Sequence, residues 1–147
     1  MLMLILIGYF FGAKEAIAAS LLFGFLKYVI DYHSMNNLAE FVDYMLGYGI
    51  LCVGGIVAHR TKNLLKGYSI GVLLRYIESV INCIYFYYRP MDTVLENVWE
   101  GFSYSASYVL TEYILTLFVL AFPIVREAIE YWKYVATHDK KENLNTY

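Results

Sequence analysis

The chain has 147 residues, 60% of them hydrophobic and 16% charged, with a formal net charge of −2. A soluble domain of this size has too much surface to hide so large an apolar fraction, which points to an integral membrane protein built as a single all-α helical bundle. The near-neutral balance argues against a nucleic-acid partner, and Cys52 and Cys83, both inside apolar segments, are not a disulfide framework.

Residues 1–11 (MLMLILIGYFF) are apolar but fall well short of the ~20 residues a membrane span requires. They lack the basic start of a signal sequence and are expected to be part of a helix cut short at its beginning. Residues 12–30 form the second apolar segment, in which Gly12, Ala16, Ser20 and Gly24 recur every four residues. Such a stripe lets another helix approach closely, either within the bundle or from a separate membrane protein. Residues 31–40 are a polar connection. Residues 41–58 read as a span that carries Asp43 and Tyr44 in its first turns and Gly47, Gly49, Gly54 and Gly55 beyond them.

A short basic connection (59–66) leads to a span over 67–88. The stretch 89–100 reads as a loop, with Pro90 as breaker, Asp92, Glu96 and Glu100 as acids, and Trp99 as an aromatic lid. The last span is expected over 101–122, ended by Pro123. Residues 124–137 read as an amphipathic interfacial helix with Trp132 and Tyr134 at the headgroups. One transmembrane domain over 1–137 and a polar tail over 138–147 are therefore expected. Lys14, Arg60, Lys62, Lys66, Arg126 and Lys133 fall in alternate connections, which the positive-inside rule assigns to the cytoplasm together with the C-terminus. The other connections are acidic apart from Arg89 and face outward.

Two polar stripes stand out. Arg75, Glu78, Ser79 and Asn82 share one face of the fourth apolar segment. Gly101, Ser105, Tyr108, Glu112 and Thr116 share one face of the last. Charges at membrane depth persist mainly where they pair or serve a site, so the stripes read as walls of a pocket opening outward. Its acidic rim and its aromatics, among them Tyr87, Trp99 and Tyr108, suit a flat, cationic or hydrogen-bonding small molecule. An ion pair between Arg75 and Glu78, or a carboxylate pair of Glu78 with Glu112, is the structural alternative. No phosphate-binding loop, no metal-ligand spacing and no Ser/His pair at matching depth is present, so no enzyme, metal or cofactor is expected.

The segment LLFGFLKYVIDYHSMNNLAEFVDYMLGYGILCVGGIVAHR resembles the middle of the thiamine-specific substrate-binding subunits (S components) of energy-coupling-factor vitamin transporters. There a Gly-rich helix, a loop and a carboxylate–Tyr pair precede a small-residue span; here the pair is Asp43–Tyr44, with Asp where Glu is usual. LLRYIESVINCIYFYYRP is similar to the family's next helix, with Arg75 as its basic residue, and VWEGFSYSASYVLTEYILTLFVL to its last span, with Ser105, Tyr108 and Glu112. Three positions depart from the family pattern. Ser79 stands where the family has a binding His, Tyr87 where it has a stacking Trp, and Ser105 where it has a binding Asn.

The resemblance implies a six-helix bundle, here with its N-terminal helix short or missing, that captures thiamine or a related vitamin from outside. It implies delivery inward only with a transmembrane coupling subunit and two ATPase subunits. The substrate-binding set it suggests, together with the polar stripes, is Asp43, Tyr44, Arg75, Glu78, Ser79, Tyr87, Trp99, Ser105, Tyr108 and Glu112. The other function open to the sequence is a small structural or assembly membrane protein whose polar residues pair internally.

Overall fold

The computed structural model describes residues 1–30, 37–86 and 93–145, and among these it is entirely helical. Six helices follow one another: α1 (Leu2–Phe11), α2 (Ala13–Ile30), α3 (Asn37–Thr61), α4 (Leu64–Phe86), α5 (Val94–Ala121) and α6 (Pro123–Asn145). α3 is the centre and packs against α1, α2 and α4. α5 lies mainly on α4, and α6 touches α1 and α5.

Small residues explain how closely the central helices meet. A Cβ on Gly8 of α1 would lie 2.7 Å from the Gly55 Cα of α3. One on Gly54 of α3 would lie 2.9 Å from the Gly71 Cα of α4. The α2 stripe packs inside the bundle: Gly12, Ala16, Ser20 and Gly24 are all buried, and a Cβ at Gly24 would come within 2.6 Å of the Tyr44 carbonyl oxygen. Backbones this close gain dispersion contacts that larger side chains would prevent. Around these crossings Ile5, Leu51, Tyr68 and Val109 form an apolar core, each fully buried.

The outer surface inverts the pattern of a soluble protein. Leu22 and Phe25 of α2, Leu73, Ile77 and Ile81 of α4, and Ile114 and Phe118 of α5 are exposed, whereas Arg75, Glu78, Asn82 and Ser105 are buried. Apolar outside and polar inside is what a bilayer selects. Phe41–Thr61 and Val94–Ala121 are each long and apolar enough to cross it. α4, with 23 residues, has the length as well and carries the buried charges.

Several boundaries differ from those read in the sequence. α5 starts at Val94, so Glu96, Trp99 and Glu100 are helical and not part of a loop. The cause is local. Thr93 accepts from the Glu96 N–H at 3.3 Å, while the Thr93 N–H donates to the Glu96 carboxylate at 2.8 Å, a full capping box. The T-x-x-E spacing was visible in TVLE.

The basic connection after α3 likewise contracts to Lys62 and Asn63. Lys62 takes a left-handed φ of 54°, and Asn63 Oδ1 accepts from the Lys66 N–H at 3.1 Å, capping α4. α1 is a helix of its own because Gly12, at φ 106°, breaks the chain direction. α6 continues to Asn145, past the expected end at Thr137.

Candidate functional site

The buried stripe of α4 faces α3 on one side and α5 on the other. Arg75, 4% exposed, lies at its centre. Its Nη1 donates to Asp43 Oδ1 at 3.1 Å and to the Asp43 backbone carbonyl at 3.3 Å, and its Nη2 donates to Asp43 Oδ2 at 3.0 Å. Nη1 also contacts Glu78 Oε2 one turn along α4. One cation thus stands between two carboxylates. The planar guanidinium suits this two-sided, bidentate arrangement, which a lysine would not reproduce.

Two further α3 residues shape the cluster. Gly47 leaves the room for it: a Cβ there would overlap the Arg75 guanidinium and lie 2.8 Å from Glu78 Oε2. The Tyr48 ring lies 5.5 Å from the Arg75 guanidinium carbon, a cation–π contact, and is itself stacked on Tyr44 at 6.2 Å. On the α5 side, Ser79 shares a hydrogen bond with Ser105 at 3.1 Å and another with the Tyr108 hydroxyl. The capacity of such a site is to hold a small polar or cationic molecule among fixed charges, hydroxyls and tyrosine faces at reduced dielectric.

A family model described as thiamine transporter protein (Thia_YuaJ) matches residues 1–131. The chain belongs to the thiamine transporter family. Searches of the curated proteins and of the solved structures each returned no match.

In this thiamine-transporter chain the sequence-derived residues do not all converge. Asp43, Arg75 and Glu78 form the ionic cluster, and Ser79, Ser105 and Tyr108 the neighbouring hydroxyl cluster; Tyr44 is half-buried beside Tyr48. Glu112 belongs to neither. Its Oε1 lies 2.6 Å from the Met1 amino nitrogen, so the suggested carboxylate pair with Glu78 does not form. The reason is register: on antiparallel α4 and α5, Ser79 meets Ser105, which puts Glu112 two turns further along α5, next to α1.

Trp99 stands on the first turns of α5 and is 73% exposed. Tyr87 lies outside the described residues. A cleft of about 200 Å3 at the basic end, bordered by Tyr9, Lys62, Leu120 and Arg126, is about three turns of α4 away from Arg75 and apart from these clusters.

Three contributors were not singled out from the sequence. Gly47 read only as a helix-contact glycine, Tyr48 as one tyrosine among 16, and Asn82 as part of a stripe. A signal existed for Gly47 and Tyr48: both lie one turn beyond Asp43–Tyr44 on α3, the position from which a side chain meets what those residues hold.

Proposed function

We propose that this chain is the membrane-embedded substrate-binding subunit that captures thiamine, or a closely related cationic vitamin, from outside the cell for ATP-driven uptake. The observation that carries the proposal is the buried Asp43–Arg75–Glu78 cluster, set beside Ser79, Ser105 and Tyr108 in a member of the thiamine transporter family. A cluster with more carboxylate than cation favours a cationic ligand, and the Tyr44, Tyr48 and Tyr108 rings offer faces to it. Asp43 and Tyr44 recognise the polar end in this reading, and Trp99, on the first turns of α5, supplies aromatic surface.

The chain has no phosphate-binding loop of its own, so ATP hydrolysis and delivery fall to a transmembrane coupling subunit and two ATPase subunits of the energy-coupling-factor type. Residues 1–137 form the membrane domain, with residues 138–147, the C-terminus and the Lys62–Asn63 turn in the cytoplasm. The acidic start of α5 and the polar start of α3 face outward.

The second reading is a structural membrane protein without a ligand. The pairing of Arg75 within the chain favours it, because an internal ion pair needs no ligand. Tryptophan fluorescence of the purified protein separates the two. Quenching by thiamine but not by riboflavin or biotin, lost in Asp43→Ala, is the expected result. Absence of thiamine binding in stable, folded protein overturns thiamine capture and leaves a diverged vitamin site or the structural reading.

A further inference from the structure

We propose that Glu78 and Asn82 together form a paired acceptor for an amino group on the ligand, with Asn82 setting selectivity for it. The proposal rests on the capture reading and names the atoms that read one end of the ligand.

Buried side-chain oxygens without a hydrogen-bond partner among the described residues are Ser20 Oγ, Tyr68 OH, Glu78 Oε1 and Asn82 Oδ1. Ser20 stands in the small-residue contact of α2, and Tyr68 in the apolar core with its ring stacked on Tyr113. Glu78 and Asn82 differ in kind. They are 9% and 8% exposed, lie one turn apart, and share the α4 face with Arg75 and Ser79. A carboxylate oxygen and an amide oxygen accept and cannot donate, so only a donor from elsewhere satisfies them.

The protein's own cation does not meet this need. Arg75 contacts Glu78 through Oε2 and commits Nη2 to Asp43. Asp43 in turn has both carboxylate oxygens engaged by Arg75. The buried acceptors on this α4 face with no partner at all are therefore Glu78 Oε1 and Asn82 Oδ1. Side chains at i and i+4 start about 5–6 Å apart on a helix. Two acceptors one turn apart on a helix face are within reach of one nitrogen with two hydrogens. A neutral aromatic amine or an ammonium offers both donors; a hydroxyl offers one and a ring carbonyl none. The aminopyrimidine of thiamine carries such an amino group. Replacing it by oxygen leaves an acceptor facing an acceptor in a dry site, where an unmet polar group is costly.

The test is equilibrium binding of thiamine and of oxythiamine, which has oxygen in place of that amino group, to the purified full chain in detergent. The native protein is expected to prefer thiamine by about tenfold or more, as for a lost hydrogen bond to a charged group. Asn82→Leu, close in volume and without the acceptor, is expected to weaken thiamine by about tenfold while changing oxythiamine less than about twofold. Equal binding of the two ligands by the native protein overturns the proposal and leaves the capture reading standing. Full discrimination retained in Asn82→Leu removes Asn82 from the pair and also overturns it. Failure of both ligands to bind overturns this proposal and thiamine capture together. The native comparison needs no variant, so poor folding of Asn82→Leu does not blunt the test.

Discussion

Arg75 of α4 holds Asp43 of α3 in a two-pronged grip, Nη1 3.1 Å from Oδ1 and Nη2 3.0 Å from Oδ2, across 32 residues of chain. The grip joins the two most closely packed helices, within segments where a membrane protein tolerates charge poorly unless it is paired. Arg75 also contacts Glu78, so its loss strands two carboxylates, whereas loss of the Asp43 charge leaves Arg75 with one partner. Arg75→Met is expected to destabilise by ~3–5 kcal/mol and Asp43→Asn by clearly less. Thermal melting in detergent reads both. Arg75→Met melting with the parent would show that the cluster contributes nothing to the fold.

Gly47 is the second point of leverage. Its missing side chain is the space in which Arg75 and Glu78 meet. Gly47→Ala is expected to push the guanidinium aside and cost about 1–3 kcal/mol, the usual range for overpacking, despite the higher helix propensity of alanine. Gly49, whose nearest neighbour to an added Cβ is the Leu21 side chain at 3.7 Å, is the control. Gly49→Ala should be neutral or stabilising in the same melting series.

The turn between α3 and α4 yields a local pair of tests. Lys62 occupies left-handed backbone at φ 54°, where glycine carries no penalty. Lys62→Gly is expected to stabilise by up to about 1 kcal/mol. Asn63→Ala removes the α4 cap and is expected to cost about 1 kcal/mol. Opposite signs at adjacent positions are hard to obtain from anything but backbone geometry, and chemical denaturation in mild detergent resolves them.

Orientation is tested with single cysteines in a background lacking Cys52 and Cys83. Asn63→Cys sits in the turn beside Lys62, and Thr93→Cys at the opposite end of the bundle, before α5. With a membrane-impermeant thiol reagent, Thr93→Cys is expected to label in intact cells and Asn63→Cys only after permeabilisation. The reverse pattern would put the acidic end inside and turn the mouth of the site away from any external ligand.

The sequence by itself determined the solvent and the faces. A 60% hydrophobic chain with polar residues at i, i+3, i+4 and i+7 on α4, two of them charged, has to bury that stripe, because lipid solvates neither Arg75 nor Glu78, and all four stripe residues are buried. The α2 stripe of small residues was legible for the same reason: every fourth position on a helix returns to one side. Partner choice was not legible. Periodicity says that Arg75 points inward, but not whether it meets Glu112 of α5 or Asp43 of α3.

The tertiary structure decided that through close contacts without sequence periodicity. Gly54 against Gly71 draws α3 onto α4, and Gly47 opens the gap that the guanidinium enters. The antiparallel register that pairs Ser79 with Ser105 carries Glu112 past the cluster to Met1. Trp99 is the exception, decided by local hydrogen bonding and not by tertiary contact. Its aromatic character was plain, but the capping box at Thr93 winds it onto an exposed turn of α5, and a short-range hydrogen bond thereby overrode the loop that the acidic composition suggested.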